Sequence, residues 1–446
     1  MILRVTIANL YSFKEETEIS FVAGKSTNHV EHVSRAAKRD DISVLKTGII
    51  YGANASGKSN IIKAVALLKG IALRGLQKRN VSPFKLAENA WPSKVEIELR
   101  AKGSYFAYGV EFTNMGIVEE WLYEINSRSD KLVFARKTNE DGNEFEFGNI
   151  SGSEDDKQLV KFIGQGTPKT DSFLSEYVKR NGKGMDAIRV VHAWMKDGLK
   201  IIFPESHYQG LSIKVEKDKD FAVATKSLLE YFNTGIVDIK REKIDEGEIG
   251  LPREIIQDIL SEAEPNKISV ITLRKKMFFF DTDKDGKTTI YEQFAVHLNE
   301  KGAGVAFDME EESDGSFRLL DFIPMLFDFQ LNDSVYLVDE LDRSMHPMMS
   351  QQILECYFKS LSNRRCTQLI FTIHESNLLN LDVIRADEVW FVEKDQQGAS
   401  HLTSLAEYKP RNDIRRGYLQ GRYGAIPFFA ETKALNWDNN EGQEEF

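Results

Sequence analysis

Gly52-Ala53-Asn54-Ala55-Ser56-Gly57-Lys58-Ser59 sets two glycines, a lysine and a hydroxyl at the spacing of a loop that wraps phosphate. Glycines let the backbone turn its N–H groups toward an anion, the ammonium of Lys58 reaches the β- and γ-phosphates, and the Ser59 hydroxyl holds Mg²⁺. The loop needs a strand before it and a helix after it, because the positive end of the helix completes the anion site. Both are written in the chain. Thr47-Gly48-Ile49-Ile50-Tyr51 reads as a buried strand, and Asn60-Ile61-Ile62-Lys63-Ala64-Val65-Ala66-Leu67-Leu68 as an amphipathic helix. The nucleotide-binding candidates are therefore Gly52, Asn54, Ala55, Ser56, Gly57, Lys58, Ser59 and Asn60, with ATP and Mg²⁺ as the expected cofactors.

A second set of residues lies far downstream. Ser334-Val335-Tyr336-Leu337-Val338-Asp339-Glu340 describes a buried parallel strand ending in two carboxylates, the end of an α/β sheet where ligands sit. Asp339 is suited to support Mg²⁺ and Glu340 to polarise an attacking water. Thr367-Gln368-Leu369-Ile370-Phe371-Thr372-Ile373-His374 is another such strand, ending in an imidazole that can donate to a γ-phosphate. Between loop and carboxylates, Ser313-Asp314-Gly315 precedes an apolar helix starting near Phe317. A hydroxyl and open N–H groups there make a second anion-binding helix start.

Around these residues the chain alternates between two periodicities. Leu3–Ile7 and Glu18–Phe21 read as short strands, and residues 25–45 as a polar loop or short lid. The segments 95–99, 105–112, 117–124 and 131–135 alternate between Gly, Asn and Asp turns, as an antiparallel meander does. From 155 to 265 apolar residues recur at helical spacing in Lys157–Ile163, Ser172–Lys179, Met185–Met195 and Ala222–Phe232. No heptads persist over several turns, so an inserted helical lobe is expected rather than a coiled-coil arm. The expected division is 1–150 as the first part of the ATPase head, 151–268 as the helical lobe, 269–435 as the second part of the head, and 436–446 as an acidic tail.

Asp281-Thr282-Asp283-Lys284-Asp285-Gly286, running on to Glu292, satisfies the pattern of a calcium-binding hand. Its flanks, Met277-Phe278-Phe279-Phe280 and Thr289-Ile290-Tyr291, are strand formers, and Asp285-Gly286 between such runs is a hairpin signal. The hairpin is the favoured reading.

The chain has 446 residues, enough for more than one core. Its 58 basic and 69 acidic side chains leave a net charge of −11, so a nucleic acid must find a local patch or a partner rather than a basic surface. Arg411, Arg415, Arg416 and Arg422 form a basic stretch that suits a partner's acidic face or nucleic acid, but is most simply a solvated, ion-paired helix. The two cysteines, Cys356 and Cys366, lack metal-site spacing and are expected in the core of a cytoplasmic protein. No apolar run approaches the roughly eighteen residues of a membrane span, so no membrane partner is expected.

Taken in order, the phosphate loop, Ser-x-Gly, Asp-Glu strand and strand-end histidine resemble the ATP-binding-cassette ATPases of the SMC, Rad50 and OLD type. More narrowly, the segments Pro83–Leu86, Val118–Leu122, Glu312–Ser316, Asp339–Pro347 and Gly417–Pro427 are similar to a bacterial family of abortive-infection and PARIS-type AAA ATPases. The resemblance implies an α/β P-loop head with a β-rich N-terminal lobe and an inserted helical lobe. It further implies a head-to-tail homodimer or higher oligomer, in which ATP lies on Lys58 of one subunit and under Ser313 and Gly315 of the other. Catalysis would fall to Glu340 and His374, and the metal to Ser59 and Asp339. Asp314 stands where the cassette signature has its first glycine, Gln77 is the nearest match to a Q-loop glutamine, and Asp342 or His346 to the D-loop aspartate. Relatives of this kind hold a separate effector, a nuclease or other toxic protein, until infection, with a phage protein as trigger. No effector site is seen in this chain. The alternative is a DNA-repair or chromosome-maintenance ATPase that clamps DNA directly.

Overall fold

A computed structural model describes residues 1–35, 42–77, 81–87, 91–361, 365–410 and 413–426. The expected acidic tail, Arg411 and Pro427 lie outside the described residues. Two compact units are present. The first comprises Met1–Asp197 and Ile370–Phe446, the second Gly198–Leu369. The helical stretch 151–268 is thus divided at 197/198 between them.

In the first unit, a seven-stranded antiparallel sheet has the order Asn143–Phe147, Lys131–Thr138, Gly116–Ile125, Ser104–Thr113, Ser93–Ala101, Ile2–Ala8 and Thr17–Ser20. Alternation sets its register. In Ser93–Ala101 every second residue is buried, which turns Val95, Ile97 and Leu99 to one face. One departure from polar-out alternation ties the following helices to the sheet. Glu120 is wholly buried and accepts the main-chain N–H groups of Phe173 and Leu174 at 2.7 and 3.2 Å, at the start of helix Phe173–Lys179. Arg136, also buried, donates to the carbonyls of Asp171 and Pro168 at 2.7 and 2.9 Å. A buried charge pair must be fully hydrogen-bonded to be tolerated, and these bonds are what hold residues 168–174 on the sheet. Residues 151–197 therefore fold with the meander.

The same unit carries the strand Thr47–Gly52, which runs parallel to Val389–Lys394, itself antiparallel to Ser400–Ser404. All six residues of Thr47–Gly52 are buried, the pattern of a central parallel strand.

In the second unit, Leu199–Ile202 runs parallel to the fully buried Val335–Val338. An antiparallel sheet is built around Thr288–Leu298, which pairs with Asp238–Lys243, Lys276–Thr282 and Gly304–Asp308. The run Met277–Phe280 is buried on both faces. Phe279 joins a core with Phe221, Leu229, Phe317 and Ile323, while Phe278 and Phe280 join another with Ile256 and Ile290. A period of two in a strand sends neighbouring phenylalanines to opposite sides. The Asp281–Glu292 segment is accordingly the hairpin: the Asp283 carboxylate accepts the N–H groups of Asp285 and Lys287 at 2.9 Å each, and Gly286 turns at φ 82°. Strands stand where a calcium hand needs helices.

Cys356 and Cys366, expected in the core, are half-buried. Among the described residues no helix is long and apolar enough to cross a membrane.

Candidate functional site

Strand Thr47–Gly52 ends at the loop and helix Lys58–Arg74 begins at its far side. Two left-handed residues make the turn, Ala55 at φ 63° and Gly57 at φ 115°. Glycine is required at 57 for a further reason. A Cβ there would fall 2.3 Å from Ser400 Oγ and 2.6 Å from Ser12 Oγ. Those two hydroxyls are bonded to each other at 2.7 Å, Ser400 Oγ donates to the Ser56 carbonyl, and the Asn60 amide donates to Ser12 Oγ at 2.8 Å. The loop is thus pinned from outside by Ser12, Asn60 and Ser400. Of these, the sequence pointed only to Asn60; Ser12, in a turn, and Ser400, at the start of a strand, carry no motif.

Pinning leaves the inner face set for an anion. The helix start has no side-chain cap and no acid in its first turn, so its positive end is not neutralised from within. Lys58 is buried, with its ammonium 2.7 Å from the Gly52 carbonyl, 3.0 Å from that of Ala53 and 3.5 Å from His374 Nδ1. Ser56 Oγ is buried without a hydrogen-bond partner. An ammonium folded onto the loop's own carbonyls, beside an orphan hydroxyl, is what a phosphate would re-engage. His374, exposed beyond the strand Gln368–Thr372, is brought to the loop as the sequence suggested.

Beside the loop is a cavity of about 370 Å³ lined by Ala53–Ser56, Val392–Lys394, Ala425 and Ile426. Ala425 and Ile426 end the Gly417–Ile426 segment, in which Tyr418 and Tyr423 stack on Phe391 at 5.6 and 5.7 Å and the Ala425 N–H bonds the Glu393 carboxylate. Sequence reasoning had noted this segment without giving it a place.

The remaining candidates belong to the second unit. Asp339 is buried at the end of strand Val335–Val338, its N–H bonded to the Ile202 carbonyl at 2.9 Å. Glu340 adopts φ 50°, a left-handed conformation that costs a non-glycine residue on the order of 1–3 kcal/mol. Arg343 lies 3.5 Å from its carboxylate and 3.2 Å from that of Glu205. Ser313 is the exposed N-cap of helix Asp314–Asp328, its hydroxyl accepting from the Ser316 N–H at 3.0 Å. Gly315 approaches the Ser344 carbonyl so closely that a Cβ would fall 3.0 Å from it. Lys275, at a hairpin tip, was not foreseen. Its ammonium meets the Asp314 carboxylate at 2.8 Å and the Glu312 carbonyl at 2.6 Å, and it holds the Asp314 carboxyl below its ordinary pKa. The Arg274-Lys275-Lys276 run between two strands was its only signal.

The family model described as "AAA domain, putative AbiEii toxin, Type IV TA system" matches residues 49–380, from the strand before the phosphate loop to beyond His374. The chain belongs to that family. An AbiEii-type AAA ATPase is an α/β P-loop protein, and the mixed sheets and the strand–loop–helix at Lys58 are that fold. No curated protein matches the chain. Among solved structures, the SMC head domain from Thermotoga maritima is similar at 12% identity and a TM-score of 0.34, over 90% of this chain and 98% of that one.

Proposed function

We propose that this AbiEii-type ATPase binds and slowly hydrolyses ATP with Mg²⁺, and that nucleotide state controls a separate effector protein, a nuclease or other toxic enzyme, in defence against phage. The observation that carries the reading is the pinned phosphate loop, with the Lys58 ammonium held on the Gly52 and Ala53 carbonyls and His374 3.5 Å away. Gly52, Asn54, Ala55, Ser56, Gly57 and Asn60 shape the loop. Ser59 and Asp339 take the metal, Glu340 orients water, and His374 reads the γ-phosphate.

A second copy of the chain supplies Ser313 and Gly315 to the triphosphate, so that ATP is the ligand of the interface and hydrolysis loosens it. Support comes from the exposure of Ser313 at a helix start and from the glycine contact that keeps the next turn close to Ser344. The toxin–antitoxin wording belongs to the family description, and it favours an effector-linked role for this chain over DNA clamping. Two measurements test the proposal. Lys58→Ala should weaken ATP binding roughly tenfold to a hundredfold or more by calorimetry, and the purified wild type should sediment as a larger species with MgATP than with MgADP. Unchanged affinity in the variant overturns the site. Duplex DNA that raises turnover several-fold, with no companion protein, would replace the effector reading with the DNA-clamping one.

A further inference from the structure

In the first unit, apart from the phosphate loop, His29, Glu31 and His32 bring one ligand atom each within 4.8 Å of the others. Their geometry is more specific than that proximity. His29 Nδ1 lies 3.5 Å and His32 Nε2 3.8 Å from the same Glu31 carboxylate oxygen, and the two rings stack at 5.1 Å. The opposite nitrogen of each ring is engaged by an acceptor. His29 Nε2 is 2.9 Å from the Leu381 carbonyl, and His32 Nδ1 is 3.0 and 3.2 Å from the two oxygens of Glu388, which is wholly buried.

An acceptor on one ring nitrogen places the proton there and turns the other nitrogen's lone pair outward, in this case toward Glu31. A carboxylate or carbonyl behind each histidine is the arrangement that orients imidazoles for a metal. His29 itself sits at φ 48°, a conformation uncommon outside glycine, in which its ring reaches both Leu381 and Glu31. Lys46 donates its ammonium to the main-chain carbonyl of Glu31 at 2.9 Å.

We infer that His29 Nδ1, His32 Nε2 and the Glu31 carboxylate form a binding site for a divalent transition metal, with zinc the best match to two imidazoles and one carboxylate. Zinc bonds of about 2.0–2.1 Å in a tetrahedron put ligand atoms roughly 3.3 Å apart; the two nitrogens lie 3.5 and 3.8 Å from the carboxylate oxygen and within 4.8 Å of each other, so rotation of the rings closes the set on an ion. Glu31 is half exposed, leaving the fourth position to solvent. The ion fastens residues 29–32 to the segment 381–388, the stretch of chain that follows His374.

The test uses the full chain, stripped with a chelator and dialysed against zinc. Metal analysis should give one zinc per chain, cobalt should give the visible absorption of a low-coordinate site, and zinc should raise the melting temperature by several degrees. Glu31→Gln and His29→Ala should each weaken zinc at least about tenfold and remove the melting shift. Glu31 is surface-exposed, so its variant should keep the wild-type circular dichroism and ATP affinity. Lys58→Ala should still take up one zinc, which separates this site from the nucleotide site. No zinc above background in the wild type, or equal zinc in both ligand variants, overturns the inference; displacement of zinc by millimolar Mg²⁺ does so as well, because imidazole ligands favour the softer ion.

Discussion

Two helix starts in this chain are the candidate anion sites, and they are built differently. At Lys58–Arg74 the cap is Gly57, which has no side chain to cap the helix, and no acid sits in the first turn. At Asp314–Asp328 the Ser313 hydroxyl already occupies the Ser316 N–H, and Asp314 places a negative charge beside the positive end. Lys275 offsets that charge at 2.8 Å. A helix terminus contributes roughly half an elementary charge, so one carboxylate is enough to cancel it. The first start is therefore open to phosphate by itself, whereas the second is balanced and gains from an anion only what a serine, a glycine and a shared lysine leave over. Nucleotide should bind first to the loop and recruit the second helix afterwards.

The largest change expected is in Glu340→Gln, which leaves both helix starts intact and removes the group proposed to polarise water. Turnover should fall by about 10²- to 10⁴-fold with ATP affinity unchanged, measured by phosphate release and calorimetry. The variant should also accumulate an ATP-bound assembly in sedimentation. Full turnover in it would remove Glu340 from the chemistry and leave the comparison without a trapped state in which to measure it.

Lys58→Ala comes next and acts on the first start alone. Hydrogen bonds to charged groups are worth about 1.5–3 kcal/mol, so ATP affinity should drop by roughly tenfold to a hundredfold or more. Gly57→Ala addresses the same loop through its shape. A Cβ at φ 115° meets Ser400 and Ser12, and the loop must move to relieve it. A strain of about 1–3 kcal/mol predicts a loss of affinity of roughly fivefold to a hundredfold. If Gly57→Ala binds ATP like the wild type, the serine network does not hold the loop.

How far the two starts were legible in the sequence follows from the range of their interactions. The phosphate loop is local: strand, turn and helix are written within about twenty residues, so Gly52 to Asn60 could be read directly. Its external supports could not, because Ser12 and Ser400 reach it only through folding. The signature start was legible as Ser-x-Gly, but its charge balance depends on Lys275, at the tip of a hairpin that a pattern search reads merely as a turn. Burial hid other parts. Glu120 and Arg136 look like surface charges in alternating strands, yet they are buried, Glu120 holding Phe173 and Leu174 and Arg136 the carbonyls of Pro168 and Asp171, dividing a helical stretch that its periodicity joined. The loop-like 25–45 region showed nothing of the His29, Glu31 and His32 cluster, since the partners of those rings are main-chain and side-chain oxygens some 350 residues away.

The smallest effect expected is the most discriminating. Asp314→Asn removes the charge at the second helix start while keeping the side chain's size, and it frees Lys275 to face an incoming phosphate. Helix-end charges are worth about 0.3–1 kcal/mol, so ATP-dependent assembly should tighten by about two- to fivefold, with ATP affinity of the separated chain unchanged. Lys275→Ala should shift assembly the opposite way, and both shifts should shrink in high salt because Asp314 is exposed and readily screened. Sedimentation of each variant in the Glu340→Gln background, across a series of salt concentrations, reads all three. Should Asp314→Asn weaken assembly instead, the carboxylate would be holding Lys275 in place for the anion rather than opposing it, and the second helix start would be as open as the first.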